Sequence, residues 1–348
     1  MELEDRKLRI LQAIIQDFIS TAEPVGSRTL AKKYNLGISS ATIRNEMSDL
    51  EELGYLHQPH TSAGRIPSDK AYRLYVDRLM AEPLQQNQKL VQRHKKIIQE
   101  EFLQRVGELE EAISYTARLL SKMTKLISVT LSPQFKQSKL KYLQLIPIDS
   151  NSILLVIVSE SGVAKNTILR TTETHSLESL QMVSNLLNHK LKGLCIADIT
   201  KERIRGIKDE IKTFSSLIEM VSPALLSILE DMLNVNLYLE GITNIFNLPE
   251  YHDIEKAKEF IGFLDQREQI TDLLVHSKDG VDVTIGKENS FENMQDCSLV
   301  TATYQLNGCV VGKIGIIGPT RMDYANIVSI ADYVTKILTD LLRKYNDK

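Results

Sequence analysis

The ten residues from Ser39 to Ser48 read SSATIRNEMS and carry side chains suited to hydrogen bonding on a nucleic-acid duplex. An arginine can offer two donors to O6 and N7 of guanine, and an asparagine can match N6 and N7 of adenine. Arg44 and Asn45 supply those two types. Serines at a helix start, here Ser39 and Ser40, stand beside backbone N–H groups that can hold a phosphate. Ile43, Met47, Leu50 and Leu53 recur at helical spacing as a core stripe. That leaves Ser40, Thr42, Arg44, Asn45 and Ser48 on other faces, with Ser40 stacked on Arg44 and Thr42 on Asn45. A solvated polar helix face has the same pattern. A second group lies on either side: Ser27, Arg28 and Lys33 before the helix, and His57, His60, Thr61, Ser62 and Arg65 after it. The later group sits on a tip framed by Pro59 and Gly64, a shape that can touch phosphate or the minor groove. Two surface histidines, or half of a metal site, are the other readings of His57 and His60. Their i, i+3 spacing, without a nearby cysteine, makes the metal reading weak.

The elements that must hold these groups follow from local signals. Leu8, Leu11, Ile15 and Phe18 predict a helix over residues 5–20, broken by Pro24 and Gly26. Ser27 can cap a second short helix carrying Leu30 and Ala31. Asn35-Leu36-Gly37 makes a turn, Ser39 or Ser40 starts a third helix to about Leu53, and Gly54 ends it. Tyr55-Leu56-His57 and Arg65-Ile66 form a hairpin. Ser68 then opens a helix to Met80, with Tyr72, Tyr75, Val76 and Leu79 inward. Three helices followed by a hairpin is the winged helix-turn-helix order. Residues 82–89 read as a linker and 89–122 as one long amphipathic helix. Beyond them, strands at 126–131, 142–147, 153–159 and 163–170 precede a helix at 176–191 and a helix-rich stretch at 200–278. Strand-like 235–239 lies within that stretch. Strands at 281–285, 297–305 and 310–317 and a helix at 324–344 close the chain. Strands, helices, then strands again predict an α+β, multidomain chain in which one domain is interrupted by an insertion.

Bulk charge gives no support for a nucleic-acid partner: the formal net charge is −3 over 348 residues. Residues 1–80 hold eleven basic and eleven acidic side chains. A basic patch of Arg28, Lys32, Lys33, Arg44, Arg65, Lys70 and Arg73 therefore requires Glu46, Asp49, Glu51 and Glu52 to face away from the ligand. Three cysteines, Cys195, Cys297 and Cys309, fit a reducing compartment. The mixed-charge start and the absence of a long apolar run predict no membrane association and a cytoplasmic location. Catalytic chemistry finds little footing. GCVVGK at 308–313 is one residue short of a phosphate-binding loop, and Ile314 replaces its Ser or Thr. Gly312, Gly315 and Gly318 read as glycines of a packed sheet. No catalytic residue, cofactor or metal is expected, and the chain is not read as an enzyme. Arg321, after Gly318-Pro319-Thr320, could frame an anion, but a structural partner for it is the better reading.

Several runs go further than spacing. They are Val25-Gly26-Ser27-Arg28, SSATIRNEM at 39–47, GYLHQPHTSAGRIP at 54–67, Tyr72-Arg73 with Tyr75-Val76-Asp77, and GIIGPTRMDY at 315–324. Together they resemble the HrcA family of bacterial heat-inducible transcription repressors, over the whole chain. Ala71 departs from the glycine expected before the Tyr-Arg pair. The resemblance implies a winged-helix DNA-binding domain at 1–82 and a connecting segment at 83–122. It also implies a GAF-like domain in two segments, 123–199 and 279–348, interrupted by a mainly helical dimerising insertion at 200–278. It further implies a homodimer on double-stranded DNA, at an inverted-repeat operator called CIRCE upstream of chaperone operons. The GroEL chaperonin would maintain activity until heat diverts it.

Overall fold

The computed structural model describes residues 3–60, 63–81, 109–133, 138–160, 163–210, 214–306 and 309–346. The expected linker at 82–89 and the first part of the long helix lie outside them. The chain divides into two compact units: Met1–Ser132 with Leu237–Thr339, and Pro133–Asn236 with Asp340–Lys348. Among the described residues no helix is long and apolar enough to cross a membrane.

The first unit begins with helices α1 (Asp5–Thr21), α2 (Ser27–Lys33) and α3 (Ser40–Glu52). The short strands β1 (Leu56–His57) and β2 (Ile66–Pro67) and helix α4 (Asp69–Ala81) follow. Leu8, Ile10, Leu11, Ile14 and Ile15 of α1 are buried with Leu30 of α2, Ile43, Met47 and Leu50 of α3, and Tyr72 and Val76 of α4. The expected Ser27 cap is not made: Ser27 is the first residue of α2, and Gly26 precedes it without a side-chain cap. Ser68 does cap α4, its Oγ accepting from the Ala71 N–H at 3.3 Å. The hairpin is antiparallel, with His57 opposite Ile66. Val25 and Arg65 exchange two backbone hydrogen bonds at 2.9 Å and fasten its return limb to the segment before α2. Gly64 makes this approach possible, because a Cβ there would overlap the Val25 carbonyl.

The rest of this unit is a five-stranded antiparallel sheet in the order β7-β3-β10-β9-β8. Its strands are β3 (Ile127–Leu131), β7 (Leu237–Glu240), β8 (Val281–Ile285), β9 (Cys297–Leu306) and β10 (Cys309–Pro319). Helices α5 (Leu109–Thr124), α9 (Ile254–Leu264), α10 (Arg267–His276) and α11 (Tyr324–Asn346) accompany it, the last named here for residues 324–339. Strand alternation puts Ser298 and Leu299 on opposite faces. Tyr324 of α11 meets Ser298, while Leu274 of α10 lies over Gly315 beside Leu299. At Gly312 a Cβ would overlap the Tyr304 ring, whose hydroxyl donates to the Leu131 carbonyl. These glycines lie within β10, not at strand ends or turns, and allow close packing by neighbouring strands and helices.

The second unit holds the three-stranded antiparallel sheet β4-β5-β6. Its elements are β4 (Leu140–Asp149), β5 (Ser152–Ser159), β6 (Ala164–Arg170), α6 (Leu177–Leu191), α7 (Lys201–Glu210) and α8 (Ser215–Leu233). The interruption of the first unit thus runs over 133–236, not 200–278, and carries a three-stranded sheet beside its helices. The reason is pairing. Leu143, Leu145, Ile153, Leu155 and Ile157 share one core with Leu180, Val183 and Leu187 of α6 and Val221, Leu225 and Ile228 of α8. Residues 237–240 instead pair with β3, so the chain has already returned to the first sheet by Leu237.

Gly64→Ala is expected to lower the stability of the N-terminal elements by about 1–3 kcal/mol, the usual cost of forced overpacking. Gly206→Ala, in open space within α7, should instead raise stability slightly. Thermal unfolding followed by circular dichroism checks both, and a Gly64→Ala protein as stable as the wild type would refute the packing argument.

Candidate nucleic-acid interface

Helix α3 starts at a serine cap. The Ser39 Oγ accepts from the Thr42 N–H at 3.1 Å and lies 3.0 Å from the Thr42 hydroxyl. Such a cap fixes the first turn. It also occupies Ser39 and Thr42 with each other, which spacing did not reveal. Beyond them Arg44, Asn45 and Ser48 are exposed and Ser40 is half-buried.

The buried face of α3 differs from the expected stripe. Ile43, Met47 and Leu50 are inside, but Leu53 is 40% exposed and Glu46 is buried at 4%. Glu46 is met by Arg6 and, at 3.0 Å, by Lys7 of α1, and Lys7 also reaches Asp49 at 2.9 Å. Hydrogen bonds to Asp49 and then Glu46 hold the Lys7 ammonium above its ordinary pKa. Glu51 pairs with Arg65 at 2.7 Å. Three of the four acids of α3 are therefore tied to cations of neighbouring elements. Only Glu52 stands exposed without an ion pair among the described residues.

The same pairing thins the expected basic patch. Lys33 binds Asp17, itself 4% exposed, at 2.5 Å, with the Tyr34 hydroxyl donating to the same carboxylate at 3.4 Å. A carboxylate out of water needs such partners, so Lys33 is first a structural cation. Arg65 is likewise a buttress under the hairpin, with its side chain 19% exposed. Lys70 donates to the Leu53 carbonyl at 2.8 Å and lies 4.4 Å from the Tyr55 ring centroid. Arg73 is held by Glu288 and the Val283 carbonyl. Arg28, Lys32 and Arg44 remain exposed and make no ion pair among the described residues.

At the tip, His57 and His60 are exposed and Ser27 is half-buried. Thr61 and Ser62 lie outside the described residues. Gln58 donates to the Ala63 carbonyl at 3.0 Å and closes the base of the tip. Spacing gave no sign of this role for Gln58. Sequence reasoning also placed Lys32 only in the wider patch and not among the contact residues. Arg321 finds its structural partner: it donates to Glu250 at 2.5 and 3.1 Å and to the Ile19 carbonyl at 3.2 Å.

Comparison with known proteins adds identity to this geometry. Residues 110–328 match the family model described as the HrcA protein C terminal domain. The heat-inducible transcription repressor HrcA of Alkaliphilus metalliredigens is 45% identical over 344 residues, covering 99% of each chain. That of Clostridium acetobutylicum is 46% identical over 347 residues, covering 100% of each. A crystal structure of a hypothetical protein shares the fold with a TM-score of 0.68 at 22% identity, over 99% of this chain and 100% of that one. With more than half of its length in the family model and full-length relatives at this identity, the chain belongs to the HrcA family.

Proposed function

We propose that this protein is a heat-inducible transcription repressor, acting in the cytoplasm without enzymatic activity, whose residues 1–82 bind double-stranded DNA as a winged helix. The observation that carries the reading is the partition of charge on α3. Arg44, Asn45 and Ser48 are exposed to solvent, while Glu46, Asp49 and Glu51 are each paired with a cation, Arg6, Lys7 or Arg65. A recognition helix enters the major groove by its N-terminal residues, so Arg44 and Asn45 face base edges in this arrangement. Ser39, Ser40 and Thr42 lie at the phosphate flank, with Ser27, Arg28 and Lys32 beside them. His57, His60, Thr61 and Ser62 of the tip meet the backbone or minor groove.

The remainder supplies symmetry and control. The five-stranded sheet and its helices form the GAF-like domain, and the unit at 133–236 is the dimerising insertion. A two-fold dimer matches an inverted repeat, one α3 to each half-site. The operator is the CIRCE repeat before chaperone operons, and the GroEL chaperonin sustains the active fold. Non-local strand pairing supports that dependence. β3 must wait for β7, more than a hundred residues on, and for β10, and such pairings fold slowly and expose sticky intermediates.

A mobility shift on a palindromic fragment from a chaperone operon, with a scrambled control, tests the reading; equal binding to both would refute it. Arg44→Ala should cost about 1–3 kcal/mol and relax preference at one base pair. Uniform weakening over all sequences would reassign Arg44 to phosphate. Lys32→Ala should lower the slope of log affinity against log salt by about 0.9. Lys33→Ala should leave that slope nearly unchanged and lower the melting temperature, because its partner is Asp17; the reverse result would place Lys33 on the DNA. Refolding from denaturant should yield more active dimer with chaperonin and ATP than without, and equal yields would remove the chaperonin from the scheme.

A further inference from the structure

Two elements of the N-terminal module, α1 and α4, are fastened to the sheet domain at separate points. From α4, the Arg73 Nε donates to Glu288 at 2.8 Å. Its Nη2 donates to the other Glu288 oxygen and, at 2.5 Å, to the Val283 carbonyl on edge strand β8. Glu288 is itself fixed by the Ile285 N–H at 2.8 Å. Beside this fork, Asp69 accepts from the Lys287 N–H at 3.3 Å. Gly286, at a φ of 53°, is so close that a Cβ would overlap the Asp69 carboxylate. The Tyr72 ring lies 5.9 Å from that of Tyr324. From α1, the Ile19 carbonyl accepts from Arg321, whose other donors are locked by Glu250.

A single tie leaves a module free to swivel, whereas two ties on different helices fix its orientation. None of them uses α3 or the hairpin tip, so the surfaces turned to DNA stay free while their placement is set. A bidentate guanidinium–carboxylate fork is also the ion pair with the strictest geometry. We propose that Arg73, Glu288 and Arg321 are positioning residues that set the half-site spacing the dimer accepts. This inference rests on the DNA-binding, dimeric reading above and goes beyond it by naming what determines operator geometry.

Each base pair added between half-sites moves the second one by about 3.4 Å and turns it by about 35°. A dimer with docked modules cannot follow both changes and loses simultaneous engagement. The test uses the full-length protein, with Arg73→Ala and Gly286→Ala as variants. Arg73→Ala removes the fork, and Gly286→Ala wedges Asp69 away without removing a charge. Binding is measured on the inverted repeat with its spacer changed by two base pairs in either direction. The wild type should lose about 100-fold or more, the avidity of the second site. The variants should lose about tenfold or less, because an undocked module recovers part of that avidity.

Amide hydrogen exchange without DNA should quicken in 69–81 and 281–288 of both variants and stay unchanged in 40–52. Unchanged exchange, or a spacer profile in the variants equal to that of the wild type, overturns the proposal. So does an Arg73→Ala protein that weakens equally on every spacer with a salt slope lower by about 0.9, which would make Arg73 a phosphate contact. A wild type that binds inverted repeats of all spacings alike overturns this inference alone. A wild type that binds no duplex overturns the proposed function and this inference with it.

Discussion

The cluster of Glu46 with Arg6 and Lys7 is the constraint on which the surface proposed to face DNA depends. Taking a carboxylate out of water costs several kcal/mol, and cations with good geometry must offset it. At 4% exposure Glu46 has these cations beside it only while the first turn of α1 lies against α3. The pair therefore sets how α3 is rotated about its axis. The same rotation that buries Glu46 turns Arg44, Asn45 and Ser48 outward, since residues one or two apart on a helix do not share a face. Packing of Ile43, Met47 and Leu50 supplies most of the free energy of the contact, and the ion cluster supplies its register.

A chain of net charge −3 can present a cationic face only by hiding or neutralising acids locally. Pairing with a cation does this even for Asp49 and Glu51, which share the helix surface with Asn45 and Ser48. The neutralising cations come from α1 and from Arg65 under the hairpin. Arginines perform a parallel task on the sheet. One donates to a carbonyl of each edge strand: Arg73 to Val283 of β8, and Arg267 to Leu237 of β7 at 3.0 Å. Edge strands left with bare carbonyls invite pairing with other chains. Spending Arg73 there removes it from the phosphate-facing set and makes it part of the scaffold.

The sequence was readable wherever a feature is local. The Ser39 cap, the buried Ile43, Met47 and Leu50, the Ser68 cap and the short hairpin all depend on neighbours within a few positions. Leu53 and Glu46 were misjudged because a stripe counted in apolar residues cannot register a carboxylate whose partners lie on another helix. Lys33 and Arg65 failed the same way: each looked like a free cation, and each answers an acid on another element, Asp17 or Glu51. The boundary near 199 failed for a different reason. Order along the chain shows that strands exist but not which of them pair, and β4–β6 read the same whether they join the five-stranded sheet or build their own. The family resemblance rested on exposed and turn residues that periodicity weighs lightly, and there it exceeded what spacing could support.

These features bear on how such a protein could lose activity before it loses its fold. Native states are favoured by only about 5–15 kcal/mol overall, and local openings cost less than global ones. The ties from Arg73 and Arg321 are partly solvent-accessible polar contacts, at 31% and 13% side-chain exposure, whereas α3 is held by a fully buried apolar stripe. Opening of these ties would be a local event, separate from loss of the apolar core of α1–α3. Such an opening would leave the surface proposed to read DNA intact while releasing its placement on the sheet domain. In that case loss of activity need not await global unfolding.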